Sequence, residues 1–234
     1  MDDQKVKRIL LKIYKRLFAT YGPQHWWPAE EPFEVIIGAI LTQSAAWTNV
    51  VKAIANLKQA GVLSPEAIRR ISQVKLAALI HSCGYYNAKA RKLKAFVEWL
   101  GEKYQDDLNR LFTQDIVELR GQLLNIYGVG EETADSIILY VGNKPIFVID
   151  AYTRRFMSRT GIAPKLNSYK AWQTFFMTNL PSDANLFNEY HALLVKLAKE
   201  ICRAKPLCQQ CCLNPAGKKA EGNKYPCHKF INIR

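Results

Sequence analysis

The sequence predicts an all-α protein. Apolar residues recur three and four positions apart along most of the 234 residues, the spacing that gathers them on one face of a helix. Helix-start signals accompany the pattern, because Ser64 precedes Pro65 and Ser168 precedes the apolar run from Tyr169. The one segment with strand-like apolar character, 144–149, is short. Helices should therefore form the whole core.

The apolar spacing places the helices in chain order. They are predicted at 6–17, 33–41, 47–57, 68–80 as one or two short helices, 88–104, 116–124, 134–141, 154–158, 169–177 and 187–201. Gly22 and Pro23 end the first helix, and Asn87 is the expected N-cap of the helix at 88–104. No repeat, low-complexity tract or long linker interrupts the series.

The charge balance indicates a polyanionic partner. Lys plus Arg number 33 against 20 Asp plus Glu, which gives a net charge of +13. Nucleic acid is favoured over a membrane surface, because the basic residues are spread along the chain rather than massed on one amphipathic helix. No apolar run approaches the ~20 residues that span a bilayer. We expect a monomer without membrane partners, located in the cytoplasm with the nucleoid.

A glycine turn between two helices is the first candidate site. Gly128, Val129 and Gly130 join the helix at 116–124 to the one that follows. We expect both glycines to take positive φ, and the following helix to aim the positive end of its dipole at the turn. A phosphate is the ligand that such a turn binds, although glycine turns also occur as plain connectors between helices.

Asp150 stands twenty residues beyond Gly130 and closes the apolar segment 146–149. Residues 126–134, I-Y-G-V-G-E-E-T-A, and 148–152, V-I-D-A-Y, resemble the L-P-G-V-G-x-K-T-A and V-D-T-H motifs of the helix-hairpin-helix DNA glycosylases of the endonuclease III superfamily. The resemblance implies a two-lobed fold, with a six-helix barrel at 23–144 and a second helical lobe from 1–22 and 145–234. It places the active site in the cleft between the lobes.

The resemblance also assigns roles to single residues. Asp150 becomes the catalytic carboxylate that stabilises a sugar cation, and the same residue suits a helix N-cap. The DNA-binding residues are Gly128, Val129, Gly130, Thr133 and Gln43. Among these, Gln43 matches the glutamine that fills the gap left by an extruded base, and its alternative role is that of an ordinary polar residue between helices.

Glu132 departs from the family pattern, because strand-cleaving members carry a catalytic lysine there. A carboxylate has no amine with which to form a Schiff base. The resemblance therefore implies a monofunctional enzyme that leaves an abasic site, with Glu132 beside the base pocket.

Three tryptophans suggest the base that is removed. Trp26, Trp27 and Trp47 resemble pocket residues of the 3-methyladenine glycosylase branch, and each aromatic face attracts a cation by ~0.5 to 2 kcal/mol. An alkylated purine carries positive charge and departs without a general acid. Core packing is the alternative for Trp27 and Trp47. We expect His191 to be a satisfied interior histidine.

Five of the six cysteines fall in the last 33 residues. Such density favours a soft metal, zinc or iron-sulfur, over disulfides. The superfamily pattern C-x6-C-x2-C-x5-C with Lys-Pro before its second cysteine resembles this tail, although the gaps differ. It implies a [4Fe-4S] cluster, with zinc as the alternative. The implied ligands are Cys202, Cys208, Cys211 and Cys227, with Cys212 as the alternate fourth.

The resemblance as a whole implies base excision repair of double-stranded DNA that contains a damaged base. The favoured substrates are alkylated purines such as 3-methyladenine. One alternative keeps the fold and changes the base to an oxidised pyrimidine or a mismatched uracil or thymine. Another is a non-catalytic iron-sulfur protein that binds DNA through the same hairpin.

Overall fold

The computed structural model of the protein describes residues 3–214, 216–222 and 224–232. Its α-helices are α1 (Asp3–Tyr21), α2 (Pro32–Leu41), α3 (Trp47–Gln59), α4 (Pro65–Arg70), α5 (Gln73–Leu79), α6 (Tyr86–Tyr104), α7 (Leu108–Phe112), α8 (Ile116–Leu124), α9 (Glu131–Tyr140), α10 (Ala151–Thr160), α11 (Tyr169–Asn179), α12 (Ala184–Glu200) and α13 (Cys227–Asn232). The all-α prediction is confirmed, since the described residues contain no strand beyond one isolated bridge between Glu221 and Lys224.

The chain divides into two compact units. The central unit is residues 27–144, and the terminal unit combines residues up to 26 with those from 145 onward. None of the helices in the described parts of either unit is long and apolar enough to cross a membrane.

The core of the central unit is built around α2. Every residue of this helix from Phe33 to Leu41 is buried, and it packs against α3, α6 and α9. Each fully buried aliphatic side chain contributes roughly 1.5–3 kcal/mol, which explains why such an apolar segment occupies the centre. Helices α4 and α5 pack on α6, and α8 packs on α9. This arrangement positions the turn after α2 and the turn between α8 and α9.

The terminal unit joins the two ends of the chain. Helix α1 packs against α11 and α12, and α10 packs against α12 and α13. In its core the rings of Phe147 and Phe176 stack with centroids 4.1 Å apart. The Tyr190 hydroxyl donates to the carbonyl of Leu10 at 2.9 Å. The apolar segment 146–149 is thereby buried, and it delivers Asp150 to the start of α10.

Most helix starts follow the predicted chemistry. Ser64 accepts from the N–H of Ala67, and Ser168 caps α11 in the same way. The prediction for Asn87 is wrong, because α6 begins at Tyr86, two residues before the predicted start at 88. Its preceding residue, Tyr85, has a left-handed backbone with φ of 47° and no side-chain cap. Asn87 therefore lies inside the first turn.

Candidate active site and nucleic-acid interface

The turn between α8 and α9 has one glycine with positive φ rather than two. Gly128 has φ of +83°, whereas Gly130 has an ordinary extended backbone with φ of −94° and ψ of 178°. The prediction of positive φ at both positions is therefore wrong for Gly130. A Cβ on Gly130 would meet no atom within 4 Å. Gly130 precedes α9 directly and lies at the end of the helix where its dipole is positive.

An ion pair with a buried carboxylate joins the two helices around this turn. Arg120 of α8 donates from Nε to Oδ1 of Asp135 in α9 at 2.7 Å, and Asp135 is fully buried. Its Nη2 also lies 3.4 Å from Glu131 Oε1. Without Arg120 the buried Asp135 carboxylate would be left uncompensated. The pair therefore stabilises the packing of α8 on α9.

Gln43 contacts the hairpin directly. Its amide nitrogen donates to the Gly128 carbonyl at 3.0 Å and to Thr133 Oγ1 at 2.9 Å. Its carbonyl oxygen accepts from Lys92 Nζ at 2.5 Å. The structure thus brings together three of the predicted DNA-binding residues. The basic helix marked Lys92 in the sequence as a solvated residue or a phosphate contact, and its bond to Gln43 was not predicted.

The tryptophans separate into two groups. Trp27 and Trp47 meet edge to face in the central unit, with ring centroids 5.1 Å apart. Trp27 also lies 5.5 Å from the ring of Tyr140 and fits against Gly38, where a Cβ would stand 3.1 Å from Trp27 Cζ2. Trp26 belongs to the terminal unit. All three tryptophans are half-buried.

Glu132 occupies the second position of α9 and is exposed. Its carbonyl accepts from Ser136 Oγ at 2.7 Å, so the residue is part of the regular helix. The side chain therefore offers a carboxylate at the place where the strand-cleaving pattern has an amine.

Asp150 is the buried N-cap of α10 in the terminal unit. Its Oδ1 accepts from the N–H of Thr153 at 2.6 Å, and its Oδ2 lies 3.6 Å from His191 Nε2. Burial by itself raises the pKa of this carboxyl, but the hydrogen bond and charge of His191 and the Thr153 N–H together hold the pKa below its usual range. Asp150 is therefore ionised at neutral pH. His191 is buried as predicted, and it faces the carboxylate.

Lys199 lies near the same carboxylate. Its Nζ is 5.8 Å from the ring centroids of both Trp26 and Tyr152. Burial lowers the pKa of Lys199, and this effect outweighs the negative charge of Asp150, which raises the pKa. Sequence reasoning missed Lys199 and Tyr152. A usable signal existed, because Lys199 follows His191 by eight positions on α12, close to one helical face.

Four cysteines line one small cavity in the terminal unit. The cysteines that line it are Cys202, Cys208, Cys211 and Cys227. Cys212 does not line it, and Arg16 of α1 donates to the Cys212 carbonyl at 3.0 Å. A hydrogen bond from Cys211 lowers the pKa of the Cys212 thiol to about 7. Cys212 thus faces α1 while its neighbour faces the cavity.

Arg159 organises the loop that carries the first cysteine. Its guanidinium donates to Cys202 Sγ at 3.2 Å and to the carbonyls of Cys202, Arg203 and Ala204 at 2.6–3.0 Å. The Cys227 thiol donates to the Arg159 carbonyl at 3.3 Å. Burial, together with Cys202 and Cys208, raises the pKa of Cys227 to about 12. In the part of the chain that the structure describes, no three His, Cys, Asp or Glu side chains stand close enough to hold one metal ion.

Comparison with known proteins agrees with this geometry. The family model described as the HhH-GPD superfamily base excision DNA repair protein matches residues 37–182. A protein of Methanocaldococcus jannaschii, described as a candidate DNA repair glycosylase, is 45% identical over 90% of this chain and 96% of its own length. Endonuclease III of Sulfolobus acidocaldarius is 30% identical over 76% of this chain and 78% of its own length.

A solved structure shows the same fold. The 3-methyladenine DNA glycosylase of H. pylori bound to 1,N6-ethenoadenine has a TM-score of 0.72 and 26% identity, covering 86% of this chain and 98% of that one. The two-lobed helical fold and the resemblance in the hairpin are thereby confirmed. This chain belongs to the HhH-GPD superfamily and is a DNA glycosylase of base excision repair.

Proposed function

We propose that the protein is a monofunctional glycosylase that hydrolyses the N-glycosidic bond of alkylated purines, such as 3-methyladenine, in double-stranded DNA. The observation that carries the proposal is the buried, ionised carboxylate of Asp150, held by Thr153 N–H and His191. We expect a monomer to act on a base that has been turned out of the duplex, as enzymes that do chemistry on a base require.

Asp150 supports the bond-breaking step electrostatically. The bond between the sugar C1′ and the base nitrogen breaks with its electron pair leaving on the base, so positive charge develops on the sugar. A fixed carboxylate in a site with little water stabilises that charge. Water then adds at C1′ and its proton passes to Asp150 or solvent, which leaves an abasic site and a free base.

The aromatic residues support a cationic purine as the substrate. A base that is already positive needs no general acid, and aromatic faces bind it through cation–π attraction. In the central unit, Trp27 contacts both Trp47 and Tyr140. In the terminal unit, the ring centroids of Trp26 and Tyr152 each lie 5.8 Å from the Lys199 ammonium group. The H. pylori 3-methyladenine DNA glycosylase, whose structure holds 1,N6-ethenoadenine, supports a modified purine as the substrate.

Glu132 supports hydrolysis without strand cleavage, since a carboxylate cannot form a Schiff base with the sugar. One observation favours a second candidate, a bifunctional lyase. Lys199 lies near Asp150 with a lowered pKa, and a partly desolvated amine is the kind of nucleophile that a lyase uses. An oxidised or mismatched pyrimidine is less well supported, because a neutral base leaves less easily.

The cysteine cavity supports a [4Fe-4S] cluster as the resident cofactor. Four thiols line one cavity, and the Arg159 guanidinium donates to Cys202 Sγ, where it would offset the negative charge of a thiolate cluster. Cys202, Cys208, Cys211 and Cys227 would hold it, and zinc remains the alternative. The cluster would cross-link the terminal loop and order it, and the base-releasing step uses Asp150.

The decisive experiment measures release of free base from methylated duplex DNA by the wild type and Asp150→Asn. Asparagine keeps the N-cap and loses the charge, so we expect base release to fall about 10²–10³-fold while the fold persists. Asp183→Asn is the matched control, because Asp183 caps α12 in the same unit. Equal activity of wild type and Asp150→Asn would contradict the assignment. If the wild type releases no base from methylated DNA, the same assay is repeated with DNA that contains uracil or oxidised bases.

Strand cleavage is tested separately by borohydride trapping on abasic DNA. We expect no covalent adduct and breaks only after alkali. An adduct that disappears in Lys199→Met would replace the monofunctional proposal with the lyase. An adduct that persists in that variant would assign the amine to another lysine.

A further inference from the structure

The amide nitrogen and the carbonyl oxygen of the Gln43 side chain both make hydrogen bonds inside the central unit. A primary amide has two N–H donors and one carbonyl oxygen. One nitrogen donates to both the Gly128 carbonyl and Thr133 Oγ1, and the carbonyl oxygen accepts from Lys92 Nζ. Gln43 is therefore bound to the turn at 128–130. The resemblance implies that Gln43 fills the gap in DNA and that this turn contacts a phosphate.

Lys92 fits this place because Gly128 has no side chain. A Cβ on Gly128 would stand 2.3 Å from Lys92 Cγ, so the lysine stem lies directly against the glycine backbone. Three residues earlier on α6, the buried Lys89 donates to the carbonyl of Leu41, at the end of α2, and to that of Cys83. Two lysines of α6, Lys89 and Lys92, thus donate hydrogen bonds to the segment that carries Gln43.

We propose that Lys92 is a positioning residue for Gln43, which it holds at a fixed place relative to the phosphate-binding turn. The inference rests on the proposed function and on the role that the resemblance implies for Gln43, which is to fill the gap left by the extruded base. A hydrogen bond from an ammonium group is stronger than one between neutral groups. Without it, the Gln43 side chain would recover rotamer freedom that must be lost again at each base extrusion.

The test is a double-mutant cycle on base release from methylated duplex DNA. We expect Lys92→Met to lower kcat/KM about tenfold, the size of effect that the loss of one charged hydrogen bond produces. Lys92→Arg keeps a charged donor and should stay near wild type. In a Gln43→Ala background, Lys92→Met should cause no further loss. Lys103→Met is the control, because Lys103 is an exposed lysine of the same helix.

An equal loss from Lys92→Met in both backgrounds would overturn the proposal, since Lys92 would then act independently of Gln43. Full activity of Lys92→Met in the Gln43 background would overturn it as well. Thermal unfolding of each variant shows whether the fold persists. If Lys92→Met does not fold, the Lys92→Gln variant, which keeps a polar side chain, takes its place in the cycle.

A second readout separates this proposal from the choice of substrate. The base analogue 2-aminopurine, placed beside a mismatch in duplex DNA, brightens when its neighbour is extruded. With protein in excess, we expect the wild type and Lys92→Arg to produce the signal and Lys92→Met to lose most of it. Absence of methylpurine release by the wild type would defeat the proposed function, whereas an unchanged 2-aminopurine signal in Lys92→Met would defeat only the role of Lys92.

Discussion

The hairpin turn at 126–134 and the cysteine loop at 202–227 reach their geometry by different routes. The turn is shaped largely by its own residues, since Val129 N–H donates to the Ile126 carbonyl and Gly128 takes positive φ. The cysteine loop is shaped by contacts from distant segments, chiefly Arg159 of α10 and Arg16 of α1. A short motif therefore describes the first region well, whereas cysteine spacing describes the second incompletely.

The largest expected effect concerns the choice between Cys212 and Cys227 as the fourth ligand of the cluster. Cys227→Ser should lose the cluster, and Cys212→Ser should retain about four iron atoms per chain, because Cys227 lines the cavity and Cys212 faces α1. Iron, sulfide and zinc analysis of the purified variants checks this. Retention of iron in Cys227→Ser together with its loss in Cys212→Ser would show that Cys212 is the fourth ligand. Zinc in the purified wild type would show that the site holds zinc and not an iron-sulfur cluster.

An intermediate effect separates the two glycines of the hairpin. Gly128→Ala should destabilise the fold by about 1–2 kcal/mol, because alanine is strained at φ of +83°. Its Cβ would also collide with the Lys92 stem. Gly130→Ala should leave stability nearly unchanged, since its Cβ would meet open space, but should weaken DNA binding by blocking the approach of a phosphate.

Denaturant unfolding and titration with labelled duplex measure these two quantities. Gly121→Ala serves as the control, because Gly121 lies inside α8 with open space around it and should affect neither the turn nor DNA binding. Normal DNA affinity in Gly130→Ala would show that the hairpin does not bring its backbone close to the phosphate.

The smallest expected effect is a shift in pH dependence at Asp150, which lies between the two regions in the chain. Its pKa is held low, so activity that needs the carboxylate is present above that pKa and is lost as pH falls through it. His191→Asn removes the largest contribution that lowers the pKa, so the acidic limb of kcat/KM should move to higher pH. His25→Asn, at an exposed histidine of the same unit, is the control. An acidic limb at the same pH in His191→Asn would show that His191 does not lower the pKa of Asp150.

Helical periodicity and cap chemistry predicted most of the fold. Apolar spacing located the long helices, and the side chains of Ser64, Ser168 and Asp150 cap helices as expected. Asn87 failed as a cap because the backbone before α6 turns at Tyr85 with positive φ. Boundaries of this kind depend on packing around the turn, which local preference does not contain.

The candidate site divides in the same way. Residue types placed Asp150, the hairpin and the cysteines in their chemical classes, because a carboxylate, a glycine turn and a dense set of thiols each serve few purposes. The partners of these residues were not predictable. Lys92 is 49 positions from its partner Gln43, and Lys199 is 49 positions from Asp150. Arg159 is 43 positions from its partner Cys202.

The sequence by itself determined the all-α class, the glycine turn between α8 and α9, the absence of a lysine at position 132 and the dense group of cysteines in the tail. These features depend on residue type and on spacing within one or two helical turns. Only the tertiary structure decided that Gly130 has a negative φ, that Gln43 is bound by Lys92, and that Cys227 rather than Cys212 lines the cavity. Those outcomes depend on which side chains packing brings together, because long-range contacts leave no periodic trace in the chain.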